Sequence, residues 1–314
     1  MEDKTLSEHL LDLNASILDK KERGHGEFLT GLGSVDDILF GLDRGQVMVI
    51  GGGPGSGKTS LALQMAYNVS ESPDTDVLFI SLEMTGSELV GRIMCNVMNI
   101  DNHYLRTGDV YGDKEALQKK IDLFEKSIEA NSMQIIDNRG YKFSELESII
   151  ASLYEVKKPD IIFIDFLQLI DWAETNNQNA VIVSFIRKLT ELAKTHHIAI
   201  VLLSQLRRTP SGSDVKKPTM HDLLGSGAIE QCAHIILILY REFVNDTDKR
   251  HHLSIDKNRN GEAGADLLVY FEGRYFRFKD MTEVVETPSK SRWIAPKKSI
   301  QERDITSSKI DWEE

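Results

Sequence analysis

Short, continuous apolar runs recur through the middle of this 314-residue chain, separated by stretches with a helical period. The runs are Val47–Ile50, Val77–Ser81, Gln134–Ile136, Ile161–Asp165 and Ala199–Ser204. A run without polar alternation suits a strand that is buried on both faces. Helical patterns follow the first four, as at Leu61–Ala66, Thr85–Val97, Phe143–Val156 and Val181–Thr195. Alternation of this kind predicts an α/β fold around a mostly parallel central sheet. After Ser204 the pattern changes to a polar loop, Arg207–Pro218, and a short helix near Ala228–Cys232. Strand-like runs follow at Ile235–Tyr240, Leu253–Asp256 and Asp266–Phe271, then Tyr275–Phe278 beyond the turn Glu272-Gly273-Arg274. These predict antiparallel strands at the C-terminal side of the sheet. No internal repeat is visible.

The flanks differ from the domain at 28–280. Residues 1–27 carry Leu6, Leu10, Leu13 and Ile17, which fall on one stripe of a helix. With no domain in front to bury it, that helix is expected to fold back or to dock on a neighbouring subunit. Residues 281–314 are polar, mixed in charge and end Asp311-Trp312-Glu313-Glu314, the composition of a flexible tail.

Composition narrows the class. Cys95 and Cys232 match no metal or redox spacing and sit in apolar stretches, so they read as structural thiols in a reducing cytoplasm. The most apolar segment, Ile161 to Ile170, is interrupted by Asp165 and does not suit a membrane span. The acidic, polar N-terminus predicts no signal peptide. A net charge of −12 taken alone disfavours a polyanionic partner, yet residues 187–217 carry a local charge of +5. Charge alone leaves two readings of that cluster, a solvated surface or a track for phosphates.

The candidate chemistry begins at Gly52-Gly53-Pro54-Gly55-Ser56-Gly57-Lys58-Thr59, a complete phosphate-binding loop between a predicted strand and a predicted helix. Glycines let backbone N–H groups curl around a polyphosphate, and the helix N-terminus adds partial positive charge. Lys58 is placed to reach the β- and γ-phosphates, and the Thr59 hydroxyl to hold Mg²⁺. The nucleotide set is completed by Ser60. Asp165 closes an apolar strand, where a doubly wound sheet presents ligands, and is expected to reach Mg²⁺ through water. Glu83 follows the next strand and is a candidate base for an attacking water; an acid opening a helix is the alternative. Gln205 closes a further strand, where its amide can meet a γ-phosphate or simply end the strand.

Further blocks occur in order: Ser81-Leu82-Glu83-Met84, Leu105-Arg106-Thr107-Gly108, Asp165-Phe166-Leu167-Gln168-Leu169-Ile170, Ser204-Gln205-Leu206, Gly227-Ala228-Ile229-Glu230-Gln231 and Lys257-Asn258-Arg259-Asn260-Gly261. Over about residues 28 to 280 the chain resembles the RecA-like motor domain of DnaB-type replicative helicases. The resemblance implies a homo-oligomeric ring, usually hexameric, that hydrolyses ATP with Mg²⁺ and moves 5′ to 3′ along single-stranded DNA. It implies Glu83 as base, Asp165 as metal acid and Gln205 as γ-phosphate sensor. Lys257 and Arg259 would act in trans on the neighbouring subunit's nucleotide. The loops Asp171–Asn179 and Arg207–Gly227 would line the channel, giving Arg207, Arg208, Lys216 and Lys217 a role on the DNA backbone. The helix within residues 5–22 would pack on the adjacent subunit.

The chain departs from that pattern in three places. Only about 27 residues precede the motor domain, so the helical domain that docks primase in this family is expected to be missing, which leaves primase and loader contacts open. A phage or mobile-element origin fits that arrangement. Leu224-Gly225 stands where relatives commonly carry Arg-Glu, so backbone amides around Gly225, Ser226 and Gly227 are expected to hold DNA. The phosphate loop itself reads closer to recombinases and clock-type ATPases. The Trp-bearing tail is a candidate recruitment segment for a polymerase or single-strand-binding protein, against plain disorder. A RecA/RadA-like strand-exchange ATPase and a non-motor regulatory ATPase are the rival functions.

Overall fold

Strands β1 (Val47–Gly52), β2 (Val77–Ser81), β4 (Ile161–Asp165) and β5 (Ala199–Gln205) are almost entirely buried, as their apolar runs require. The computed structural model describes residues 5–23, 25–109, 113–129, 131–137, 148, 158–165, 178–207, 217–243 and 249–281. Among these residues the sheet has nine strands in the order β3-β2-β4-β5-β1-β6-β7-β8-β9. The added strands are β3 (Met133–Asp137), β6 (Ile235–Phe243), β7 (Lys249–Asn258), β8 (Asp266–Glu272) and β9 (Arg277–Asp280). From β3 through β6 every pairing is parallel; β7, β8 and β9 pair antiparallel. The sheet is therefore the mostly parallel one expected from the sequence, with the antiparallel strands on one side.

The period of two along each strand divides the core between the two faces. Met48, Ile50, Phe79, Phe163, Val201 and Leu203 face one cluster, packed with helices α2 (Gly33–Leu39), α3 (Lys58–Ser70) and α4 (Gly86–Met98). Val47, Val49, Leu78, Ile80, Ile162 and Ile164 face the other, covered by α7 (Gln178–His196) and α8 (Ser226–Cys232). Phe79 and Phe163 stack with ring centroids 5.9 Å apart in the first cluster. Removing either ring would cost about 3–5 kcal/mol.

Register sets the carboxyl ends in a row. Gly52 lies opposite Gln205, and Ser81 opposite Asp165. Four adjacent parallel strands thus open onto one edge of the sheet, where ligands of such folds collect.

The structure corrects the sequence reading at several points. The last strand does not begin at Tyr275. The Tyr275 amide donates to Glu272 O at 2.9 Å, Phe276 takes φ +52°, and pairing resumes at Arg277 opposite Glu272. Strand β7 is longer than Leu253–Asp256 because it pairs along the whole of β6. Helices α2, α5 (His103–Thr107) and α6 (Lys114–Glu129) are additional; of the α6 side chains only Phe124 is buried, which leaves a weak apolar signal. The expected helix Phe143–Val156 falls almost wholly outside the described residues, and residues 282–314 of the tail lie outside them too.

The N-terminal stripe forms helix α1 (Leu6–Arg23), which leaves Leu6, Leu10, Leu13 and Ile17 exposed. Leu11 and Leu18 are exposed as well, so its apolar surface is broader than one stripe. Lys20 pairs with Asp43 at 2.5 Å. No described helix is long and apolar enough to cross a membrane.

Helix α4 starts from a capping box. The Glu88 amide donates to Thr85 Oγ1, and the Thr85 amide donates to Glu88 Oε2 at 2.9 Å. Thr85→Ala is expected to lower the unfolding free energy by about 1 kcal/mol in a urea titration, with the slope unchanged.

Candidate active site

The loop that follows β1 is shaped by glycines that nothing larger can replace. A Cβ on Gly52 would lie 2.6 Å from Ser56 Oγ and 2.7 Å from Leu239 O. Gly57, the N-cap of α3, takes φ +101°, and a Cβ there would stand 2.8 Å from Phe278 Cζ. Gly55 is also left-handed, with Gly53, Pro54 and Ser56 forming the rest of the curl. The loop therefore wraps the N-terminus of α3, where unpaired amides and the helix dipole favour an anion. Lys58 Nζ donates to Gly52 O at 2.8 Å and to Gly53 O at 3.1 Å, so its ammonium sits over the loop. Burial lowers its pKa, while Asp165 and Glu83 nearby raise it. Ser60, one residue further into the helix, is buried.

Beside the loop, the Thr59 hydroxyl donates to Asp165 Oδ2 at 2.7 Å. Asp165 is 1% exposed, and its Oδ1 is buried without a hydrogen-bond partner. Burial pushes its carboxyl up to about 6; the Thr59 hydrogen bond opposes this, Glu83 reinforces it, and Lys58 and Arg92 oppose it. A hydroxyl and a half-satisfied carboxylate converging at a helix N-terminus are hard oxygen donors of the kind Mg²⁺ prefers. The residues fit such an ion.

Glu83 stands just beyond Ser81, on an exposed turn closed by Ser81 Oγ, which accepts from the Met84 amide at 3.0 Å. The Leu82 amide donates to Asp165 O at 2.7 Å and fixes the turn against β4. Helix α4 begins later, at Gly86, and takes Glu88 as its first-turn acid, so Glu83 does not serve that helix. Gln205 ends β5 directly across from Gly52, and its carbonyl accepts from the Leu224 amide at 3.3 Å. Phosphate loop, metal acid, candidate base and sensor thus share one edge.

A sequence profile of the DnaB-like helicase C-terminal domain matches residues 28–280. The chain belongs to this family. It is 32% identical over 257 residues to a probable plasmid replicative DNA helicase of Chlamydia trachomatis, covering 82% of this chain and 55% of that one. It is 31% identical to the Bacillus subtilis replicative DNA helicase DnaC, covering 80% and 56% respectively. The chain thus spans about half the length of these relatives. Among solved structures, the ATPase domain of a phage helicase superposes with a TM-score of 0.78 at 25% identity, covering 89% of this chain and all of that one. A DnaB-like replicative helicase, solved in a study of its interactions with primase, gives 0.75 at 26% identity, covering 89% and 68%. The fold is that of RecA-like helicase ATPase domains.

Two cations of this DnaB-like domain escape a reading of the sequence. Arg92, on α4, lies over the Phe276 ring at 4.9 Å; burial lowers its pKa, while Asp165, Glu88 and Glu83 raise it. Arg241, on β6, donates to Pro54 O at 3.5 Å. Neither belongs to a recognisable motif. Packing of α4 on the β-hairpin turn, and β6 beside β1, bring them to the site.

Lys257 and Arg259 lie elsewhere. Lys257 pairs with Ile236, which faces Val49, near the start of β1 rather than its phosphate end. Lys257 Nζ donates to Glu230 O and Arg259 Nη2 to Gln231 O, both at the C-terminus of α8. The structure does not bring them to this chain's own phosphate loop. The DNA-contact candidates are divided too. Arg207 is exposed, with its amide donated to Asp222 O at 2.8 Å, whereas Lys217 Nζ pairs with Asp266 at 3.0 Å. Gly225 caps α8 at φ +79°. The Ser226 amide donates to Leu223 O at 3.1 Å, and Gly227 is exposed. Arg208 and Lys216 lie outside the described residues, as does most of Asp171–Asn179.

A carboxyl whose pKa in the fold stands above its unfolded value stabilises the fold at low pH, and this contribution is lost as pH rises through the folded value. For Asp165 the window runs from 3.8 to about 6. At 1.36 kcal/mol per pH unit the effect is on the order of 3 kcal/mol. Metal-free protein is therefore expected to lose stability across that window in urea titrations, and Asp165→Asn to flatten the loss.

Proposed function

We propose that this protein is an ATP-dependent ring helicase that moves 5′ to 3′ along single-stranded DNA and separates duplex at a replication fork. The observation that carries the reading is the division of the site. The phosphate loop, Thr59, Asp165 and Glu83 lie at one end of the sheet, and Lys257 and Arg259 at the other. One chain holds both halves of a hydrolytic constellation but does not join them. A neighbour in a ring supplies the missing cations.

In this reading ATP binds along Gly52–Ser60, with Lys58 reaching its β- and γ-phosphates. Thr59 and Asp165 hold Mg²⁺, which when bound neutralises charge on those phosphates. Glu83, exposed on its turn, orients an attacking water and accepts its proton. Arg92 steadies the acids, and Arg241 borders the loop. Gln205 senses the γ-phosphate beside the stem of the Arg207–Gly227 segment, whose Arg207, Arg208 and Lys216 follow the DNA backbone with the amides near Gly225–Gly227. Lys217 contributes where DNA displaces it from Asp266. Helix α1, with its exposed leucines, packs on the adjacent subunit, and residues 281–314 serve as a tail. Primase, a loader, a polymerase or a single-strand-binding protein are the partners such a motor meets in the cytoplasm. The helicase relatives favour this reading over a recombinase or a regulatory ATPase.

Lys58→Ala is expected to abolish ATP hydrolysis. Glu83→Gln is expected to keep ATP binding while turnover falls by about 10²–10⁴-fold. Single-stranded DNA should stimulate the wild-type rate, and a forked duplex with a 5′ tail should be unwound. An unstimulated rate with no unwinding would overturn the assignment. Replacing Arg207 and Arg208 by Ala should reduce the salt slope of DNA binding by about 0.7 for each phosphate contact removed.

A further inference from the structure

Three glycines stand in a row where β1 meets the loop, and only Gly52 is demanded by the phosphate-loop spacing. Gly53 has open space where a Cβ would be. Gly51 is different. It is paired with Ser204 and Ile238 in ordinary strand register, and it is not among the glycines with positive φ. Its backbone therefore has no need of glycine. What it provides is room: a Cβ would meet Leu223 Cδ2 at 2.5 Å and Ile238 Cδ1 at 2.8 Å.

Leu223 is completely buried and packs in the core cluster beneath α7 and α8. Its backbone is tied as firmly as its side chain. It forms a β-bridge with Leu206. On either side, the Arg207 amide donates to Asp222 O at 2.8 Å and the Leu224 amide to Gln205 O at 3.3 Å. The Leu206 amide donates to Gly52 O at 3.3 Å, and Leu223 O accepts from Ser226 at the start of α8. Residues 205–207 and 222–224 are thus clasped together, with one hydrogen bond to the phosphate loop and one side chain seated over the strand that carries it.

We propose that Leu223 is a positioning residue that couples the phosphate loop to the segment carrying Arg207 and Arg208, with Gly51 as the socket for its side chain. A shift of Gly52 or Gln205 then moves both ends of the clasp together, because the Leu223 peg prevents the stem from sliding over β1. Leu223 touches neither nucleotide nor DNA. The DNA side of this coupling rests on the function proposed above, whereas the nucleotide side does not.

The test uses the full chain as wild type, Leu223→Ala, Gly51→Ala and the double variant. Gly51→Ala removes no apolar volume and pushes on the same contact, so it decides the matter if Leu223→Ala does not fold. ATP hydrolysis is measured with and without a dT oligonucleotide. Amide hydrogen exchange over residues 206–224 is measured with and without Mg²⁺ and a non-hydrolysable ATP analogue. Each single variant is expected to keep basal hydrolysis while DNA stimulation falls about tenfold, a typical coupling magnitude. In both, the exchange response to the analogue should disappear, and the double variant should regain part of the stimulation lost by Gly51→Ala. If basal and stimulated rates fall in proportion, Leu223 is only a core side chain and the proposal is overturned. It is also overturned if the variants keep the wild-type exchange response. A wild type without DNA stimulation would instead count against the helicase reading, and the exchange arm would still decide the role of Leu223.

Discussion

Asp165 is a carboxylate almost wholly removed from water, with one oxygen held by Thr59 and the other without a hydrogen-bond partner. Burying a charge in that state is strongly unfavourable unless something compensates it. The surrounding architecture supplies a setting for that compensation. The helix that begins at Lys58 directs its N-terminal dipole to the same place, and the charges of Lys58 and Arg92 oppose the rise in its pKa. The carboxylate can sit there because β4 is a fully buried strand flanked by β2 and β5, which fixes where its carboxyl end lies. A divalent cation would satisfy the orphaned oxygen. The site thus stores, in its unliganded form, an electrostatic demand that nucleotide and metal meet together.

Sheet order turns this local feature into an arrangement of subunits. Parallel strands gather Gly52, Gln205, Asp165 and the Glu83 turn at one edge, while the reversal into β7 carries Lys257 and Arg259 to the opposite edge. Both cations lean on carbonyls at the C-terminus of α8, where the helix dipole favours positive charge. They are therefore held ready but turned away from their own nucleotide loop. Hydrolysis that needs them requires a second copy, which would link chemistry to relative motion between subunits.

Much of this was legible in the sequence. Continuous apolar runs marked the buried parallel strands, and the phosphate loop identified its strand and helix without ambiguity. What escaped depended on distant pairing. Phe276 adopts a left-handed turn that no periodicity announces, so β9 starts later than its apolar run suggested. Arg92 and Arg241 look like ordinary surface charges until α4 and β6 are placed beside the loop. Lys217 looked like part of a free basic cluster, but β8 presents Asp266 to it. The significance of Gly51 required knowing that Leu223 arrives above it. In each case the local signal was intact, and the missing information was which neighbour the sheet would supply.

The central claim, that one copy completes the catalytic site of the next, is tested most directly by mixing inactive subunits. Glu83→Gln and Arg259→Ala proteins are prepared separately, each with negligible ATP hydrolysis, then combined and allowed to exchange subunits. Where the intact phosphate site of an Arg259→Ala subunit meets the intact Arg259 of a Glu83→Gln subunit, activity should return, with a maximum near equal proportions. A mixture that stays as inactive as its components at every ratio, despite confirmed subunit exchange, would contradict the account.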